Sequence, residues 1–181
     1  MDYQYFTIIC MGSDKKIPLE EVKKISPKIL LLMISRAKRY LKTDPTMQEI
    51  CKKYDTDINI IDYIPIMFGH IDTSAKTDHG TIILNYKLLC DGDFYKDFGY
   101  LVHEGTHWLQ QLFRNKPTKS SNEGNYLDNL FEVEAFKFQS KYIADHFGDQ
   151  EAEGYIEGLL DHHDIKGKKR KNKEEELLAK V

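Results

Sequence analysis

Residues 101–113 read LVHEGTHWLQQLF, and no other stretch constrains the fold as tightly. Phe98, Leu101, Gly105, Leu109 and Leu112 recur at three- and four-residue spacings, the period of one helix face. His103 and His107 stand at i and i+4, so their imidazoles lie one turn apart on another face. The pattern predicts a helix over roughly 94–114 that packs on a core and holds an imidazole pair on rigid backbone. Gly105 weakens such a helix by about 1 kcal/mol relative to alanine, which a closely packed neighbour would justify.

Two imidazoles one turn apart suit a metal. Zinc takes histidine nitrogen at about 2.0–2.1 Å, and a catalytic site wants three protein ligands with one position left for water. Glu104 stands beside the first histidine, within reach of that water. The H-E-x-x-H spacing thus puts two ligands and a general base on one helix. Zinc lowers the pKa of the water towards about 7, and the glutamate takes its proton during attack on a carbonyl. The third ligand is sought on the next helix, in DNLFEVEAFKFQ, which carries Glu132 and Glu134. Glu132, Ala135, Phe136 and Gln139 share a face, and Ala135 lets that helix approach closely. Glu134 lies about 200° round the helix from Glu132, so both cannot be ligands. Glu132 is the choice, and Glu134 is assigned to a solvated face.

Elsewhere the chain alternates between helical and strand-like patterns. Residues 3–11 read as a short strand. Pro18 with Glu20 and Glu21, Pro27, and Asp44-Pro45 each mark a helix start. INIIDYIPIMFGHID is β-branched and aromatic, and Pro65 makes it an edge or bulged strand. The loop SAKTDHG joins it to GTIILNYKLL, a second strand, so the two read as a β-hairpin. The strand Thr81–Leu88 is taken as an edge on which an extended peptide pairs. Residues 115–124 form a turn-rich loop, and helices follow over roughly 127–147, ending near Gly148, and over 151–163. The reading is a single α+β domain over 1–165. Its small antiparallel sheet packs on the HEGTH helix and the glutamate helix. A charged tail over 166–181, exposed and partly helical or disordered, follows it.

Composition narrows the classes. With 181 residues the chain suits one domain, and a net charge of −3 gives no global pull towards nucleic acid. The basic run KGKKRKNK, residues 166–173, lacks interleaved aromatics and is followed by Glu174–Glu176, so it reads as a solvated tail rather than a nucleic-acid site. Cys10, Cys51 and Cys90 are odd in number and far apart, which suggests neither a disulfide framework nor a cysteine zinc site. The longest apolar run, Ile29–Ile34, is too short to span a bilayer, and the start has no basic n-region. The expectation is a cytoplasmic protein with no membrane partner.

HEGTHWLQQ followed by a helix with E-V-E-A resembles the minimal gluzincin-type zinc metallopeptidases. The resemblance covers about residues 80–163 and includes the H-E-x-x-H-x-x-Q extension, His103 to Gln110. NLFEVEAFKFQ is similar to the N-P-[FY]-E-x-E-A-[YF] pattern of small phage and bacterial members. The resemblance implies a zincin-like fold, Zn2+ on His103, His107 and Glu132, Glu104 as base, and a peptide or protein substrate. Leu130 replaces the usual proline, and Phe136 stands where thermolysin-like relatives place an aspartate that supports a histidine. Asp128, Asn129 or backbone carbonyls are the substitutes considered. The chain also lacks the extra domain that carries the oxyanion donor in large gluzincins. Tyr126 is the first candidate for that role and His79 the second. His162 and His163, with Asp161 and Asp164, are weighed as a second metal site and assigned to a plain helix end, and His70 and His146 to structure. The leading expectation is a zinc-dependent peptidase; the alternative is a catalytically silent zinc-binding scaffold in a binding or regulatory protein.

Overall fold

The computed structural model describes residues 18–90, 97–114 and 126–179. The strand expected over 3–11, the loop over 115–124 and the first turn of the helix expected from 94 lie wholly or largely outside those residues.

Proline and aspartate open the first helices. A short α1, Leu19–Val22, precedes α2, Pro27–Thr43, which has its proline at the first helical position. α3, Pro45–Lys53, is capped by Asp44, whose carboxylate accepts from the Met47 amide at 3.0 Å. The next run departs from expectation. Ile58–Tyr63 is a 3₁₀ turn rather than a strand: the Asp57 side chain caps it through the Asn59 amide, and within it only Ile61 is buried.

The sheet is small and mixed, with strand order β1-β3-β2. β1, Ile66–Gly69, runs parallel to β3, Thr81–Asn85, pairing Ile66 with Ile82 and Gly69 with Asn85. β2, Ala75–Asp78, is antiparallel to β3 and pairs Asp78 with Thr81. This corrects three expectations. The sheet is not purely antiparallel. The hairpin is β2–β3, with β2 lying in the stretch read as a loop. β3 is the central strand, so it offers no free edge; among the described residues β1 and β2 are the edge strands. The hairpin turn is His79-Gly80, both with positive φ (47° and 75°), as two-residue hairpin loops require. The buried Asn85 amide holds the β1–β2 crossover by donating to Ile71 O at 2.6 Å and Thr73 O at 2.9 Å.

Helices carry the rest. α4, Phe98–Arg114, is buried on nearly every side, with Phe98, Leu101, Val102 and Leu109 in the main core. Leu112, expected in that core, is 46% exposed. α5, Leu130–Phe147, begins at the Asn129 cap and ends at Gly148, whose φ is 97°. α6, Asp149–His162, and α7, Gly167–Leu178, follow. The main core joins α1–α4, the sheet and one side of α5. A second cluster, including Val133, Phe136, Ile156, Leu160 and Leu177, joins the other side of α5 to α6 and α7.

α7 is the helical form of the expected tail: much of it is exposed, and one face docks. Leu177 is 1% exposed, and Lys169 and Lys173 pair with Asp128 at 2.8 and 3.3 Å. Arg170 pairs with Asp161 at 2.5 Å. Much of the basic run thus makes ion pairs within the chain. Among the described residues, no helix is long and apolar enough to cross a membrane.

Candidate metal centre

α4 and α5 pack side by side, and that contact brings the three candidate ligands together. His103 and His107 project from one face of α4, and Glu132 from the first turn of α5; all three are buried. His107 Nε2 lies 3.0 Å from His103 Nε2 and 3.2 Å from Glu132 Oε2, and His103 Nε2 lies 3.5 Å from the same oxygen. Ligands about 2.0–2.1 Å from a tetrahedral zinc would stand about 3.3–3.4 Å apart, so the triangle has the right edge length. The donor set also fits: two neutral imidazoles and one carboxylate suit zinc. A buried carboxylate facing two nitrogens at this range needs a cation among them, either a proton or a metal ion.

The protonation tendencies say the same. Burial is the largest influence on Glu132 and pushes its pKa up. Hydrogen bonds and charge from His103 and His107 outweigh it and hold the carboxyl far below its usual range. Burial likewise opposes charge on His107, but the Glu132 hydrogen bond, with Glu132, Glu104 and Gln110, raises it overall.

The supporting residues differ from those expected. The amide of Gln110 donates to Phe131 O at 3.0 Å and to Glu134 Oε2 at 2.8 Å. Its Oε1 is therefore the acceptor for His107 Nδ1–H at 2.7 Å. That bond places a proton on Nδ1 and turns Nε2 to the cluster. Glu134 is not on a solvated face. It is 8% exposed and accepts from Tyr54 Oη at 2.9 Å and pairs with Lys53 at 2.9 Å and Arg114 at 3.3 Å. Burial pushes its pKa up, and the Lys53, Gln110 and Tyr54 hydrogen bonds bring it below the usual range. Asp128 instead faces α7, and Asn129 caps α5 by accepting from the Phe131 amide at 3.0 Å. His103 Nδ1 is buried without a hydrogen-bond partner among the described residues, its ring lying 4.5 Å from that of Phe136.

Sequence reasoning missed Thr77. Its hydroxyl lies 2.7 Å from Glu104 Oε2 and 3.1 Å from the Glu104 carbonyl, tying β2 to the candidate base. The signal for it was weak, because β2 has four residues and no apolar run. Trp108 adds a second tie by donating from Nε1 to Gly80 O at 3.0 Å. Gly105 is not demanded by packing: a Cβ there would meet Met47 Cε at 3.6 Å, ordinary contact.

His103 and Glu104 open onto a cleft of about 560 Å³ between α4, α5, α6 and the start of β2. Tyr126 lines it, half-buried, in the 3₁₀ turn before α5. Burial, then the Glu132 carboxylate, pushes its hydroxyl well above the usual phenol range. His79, the other oxyanion candidate, is 99% exposed at the hairpin turn beside Asp78 and does not line the cleft. His162 and His163 line the far wall, while Asp161 and Asp164 pair with Arg170 and Lys166. Among the described residues, the one metal-ligating group that converges is His103, His107 and Glu132. His146 bridges to the Asp44 cap at 2.6 Å, and the His70 ring packs 5.1 Å from Tyr86. No family model, no curated protein and no solved structure matches this chain.

Proposed function

We propose that the protein is a zinc-dependent peptidase of zincin-like architecture, acting on a peptide or protein substrate. The observation that carries the reading is the buried His103–His107–Glu132 triangle, with edges of 3.0–3.5 Å, beside a carboxylate that faces a cleft.

His103, His107 and Glu132 would hold the zinc, which would supply Lewis acidity towards a water and a carbonyl. The chain's own residues do the rest. Glu104, oriented by Thr77, accepts the proton of the attacking water and passes it to the departing amine. Tyr126, which lines the cleft and as a phenol carries its proton at neutral pH, donates towards the oxygen that gains charge in the transition state. Gln110 and Glu134 hold His107 in the tautomer that leaves Nε2 free. The outer edge of β2, next to Glu104 through Thr77, is where an extended peptide pairs.

The test is cleavage of a quenched-fluorescent peptide library by zinc-loaded protein, beside Glu104→Gln. The variant is expected to keep its fold and metal while losing hydrolysis by about 10²-fold or more. Full activity in Glu104→Gln would overturn the mechanism. Zinc binding with no cleavage of any library member would favour the silent-scaffold reading instead.

A further inference from the structure

The cleft extends beyond the groups that the chemistry uses, along α6. Its volume, about 560 Å³, is in the range of pockets that enclose a small ligand or a large side chain. Aromatic rings wall it: Tyr100 from α4, Phe136 from α5 and Tyr155 from α6. Gln139, on α5, also lines it and is only 2% exposed. Gln139 packs against Gly99, where a Cβ would stand 3.5 Å from its Cγ and Nε2. Among the described residues no hydrogen bond joins its side-chain amide to another, and the amide is not one of the buried polar atoms left without a partner, so it reaches the open space of the cleft. On the facing wall, Gly158 sits inside α6, where glycine weakens a helix. A Cβ there would meet nothing within 4 Å, so packing does not call for the glycine. Gly158 is exposed at the rim of the cleft, and the space beside it is open.

We propose that this cleft is a side-chain subsite for an aromatic residue with a hydrogen-bonding tip, tyrosine in preference to phenylalanine. Ring walls favour an aromatic guest through edge and offset contacts. The Gln139 amide can accept from a phenol through Oε1 or donate to it through Nε2, whereas a phenyl ring leaves it unpaired. Gly158 leaves the rim open. That the guest belongs to a substrate, next to the bond to be cut, rests on the peptidase reading; its recognition does not.

The experiment is an NMR titration of the full zinc-supplemented chain with N-acetyl-tyrosinamide, N-acetyl-phenylalaninamide and N-acetyl-alaninamide. Tyrosinamide should bind about three- to tenfold more tightly than phenylalaninamide, the worth of one net hydrogen bond, and alaninamide should not saturate. Gly158→Leu should abolish tyrosinamide binding with metal content and thermal midpoint retained. Gln139→Leu should erase the difference between the two aromatic probes. Equal binding of all three probes to the wild type, or undiminished tyrosinamide binding by Gly158→Leu, would overturn the subsite. Loss of zinc from Gln139→Leu would also overturn it, assigning the amide to His103 Nδ1. Tyrosinamide binding by a protein that cleaves no tyrosine-containing peptide would remove the peptidase reading and leave the subsite. Cleavage with no side-chain preference would do the reverse.

Discussion

Glu134 stands two residues from a candidate ligand, and its charge is matched from four sides by Tyr54, Lys53, Arg114 and Gln110. It acts through Gln110, whose other end fixes His107. Gln110→Leu leaves the His107 Nδ1–H without its acceptor, and zinc affinity should fall about 10- to 100-fold in competition with a chromophoric chelator. Unchanged affinity would remove Gln110 from the support of the site. At Cys51, 2% exposed, burial pushes the thiol up to about 11. It should therefore resist a disulfide reagent at pH 8 until denaturant is added, and rapid labelling of the folded chain at Cys51 would contradict that burial. The candidate histidine ligands were legible because i, i+4 spacing fixes a helix face whatever surrounds it. Glu134 and Gln110 were not, because their roles arise where two helices meet. A charged residue on a helix looks the same in sequence whether its neighbour is water or a lysine.

At the scale of elements, legibility followed how much each segment determines its own conformation. Helices with apolar stripes and proline or aspartate starts declared themselves. β2 did not, since an edge strand of four mostly polar residues is defined by its pairing with β3. Ile58–Tyr63 has strand-like residues but folds as a 3₁₀ turn, tertiary context overriding a weak preference. α7 was read as a solvated tail because its charges outnumber its apolar residues, yet Leu177 and ion pairs dock it. Leu177→Ala should lower stability by about 2–5 kcal/mol in a denaturant titration, as for other buried leucines, and a change under 0.5 kcal/mol would indicate an undocked helix. The Asp128 pairing has a pH signature. Hydrogen bonds from Lys169, and then Lys173 against a small opposing effect of burial, lower the Asp128 pKa. A depressed folded pKa contributes stability above the unfolded value, about 3.9, and loses it as pH falls through the folded value. Asp128 is half exposed, so solvent screening keeps the contribution small, at most about 1 kcal/mol. The stability gap between wild type and Asp128→Asn should therefore be present at pH 7 and close below about pH 4. A gap independent of pH would contradict the pairing.

For the whole molecule, the candidate metal centre lies where the two apolar clusters meet. α4 brings the histidines from the main core, and α5, which faces both clusters, brings Glu132. An ion held by all three would clasp α4 to α5, so binding would be linked to folding. The most direct test is metal content by elemental mass spectrometry, on wild type, Glu132→Ala and Glu134→Ala after zinc is supplied and excess removed. The predicted result is about one zinc per chain in wild type and in Glu134→Ala, with almost none in Glu132→Ala. Wild type without zinc, or zinc lost from Glu134→Ala but kept by Glu132→Ala, would contradict the three-ligand centre on which the account rests.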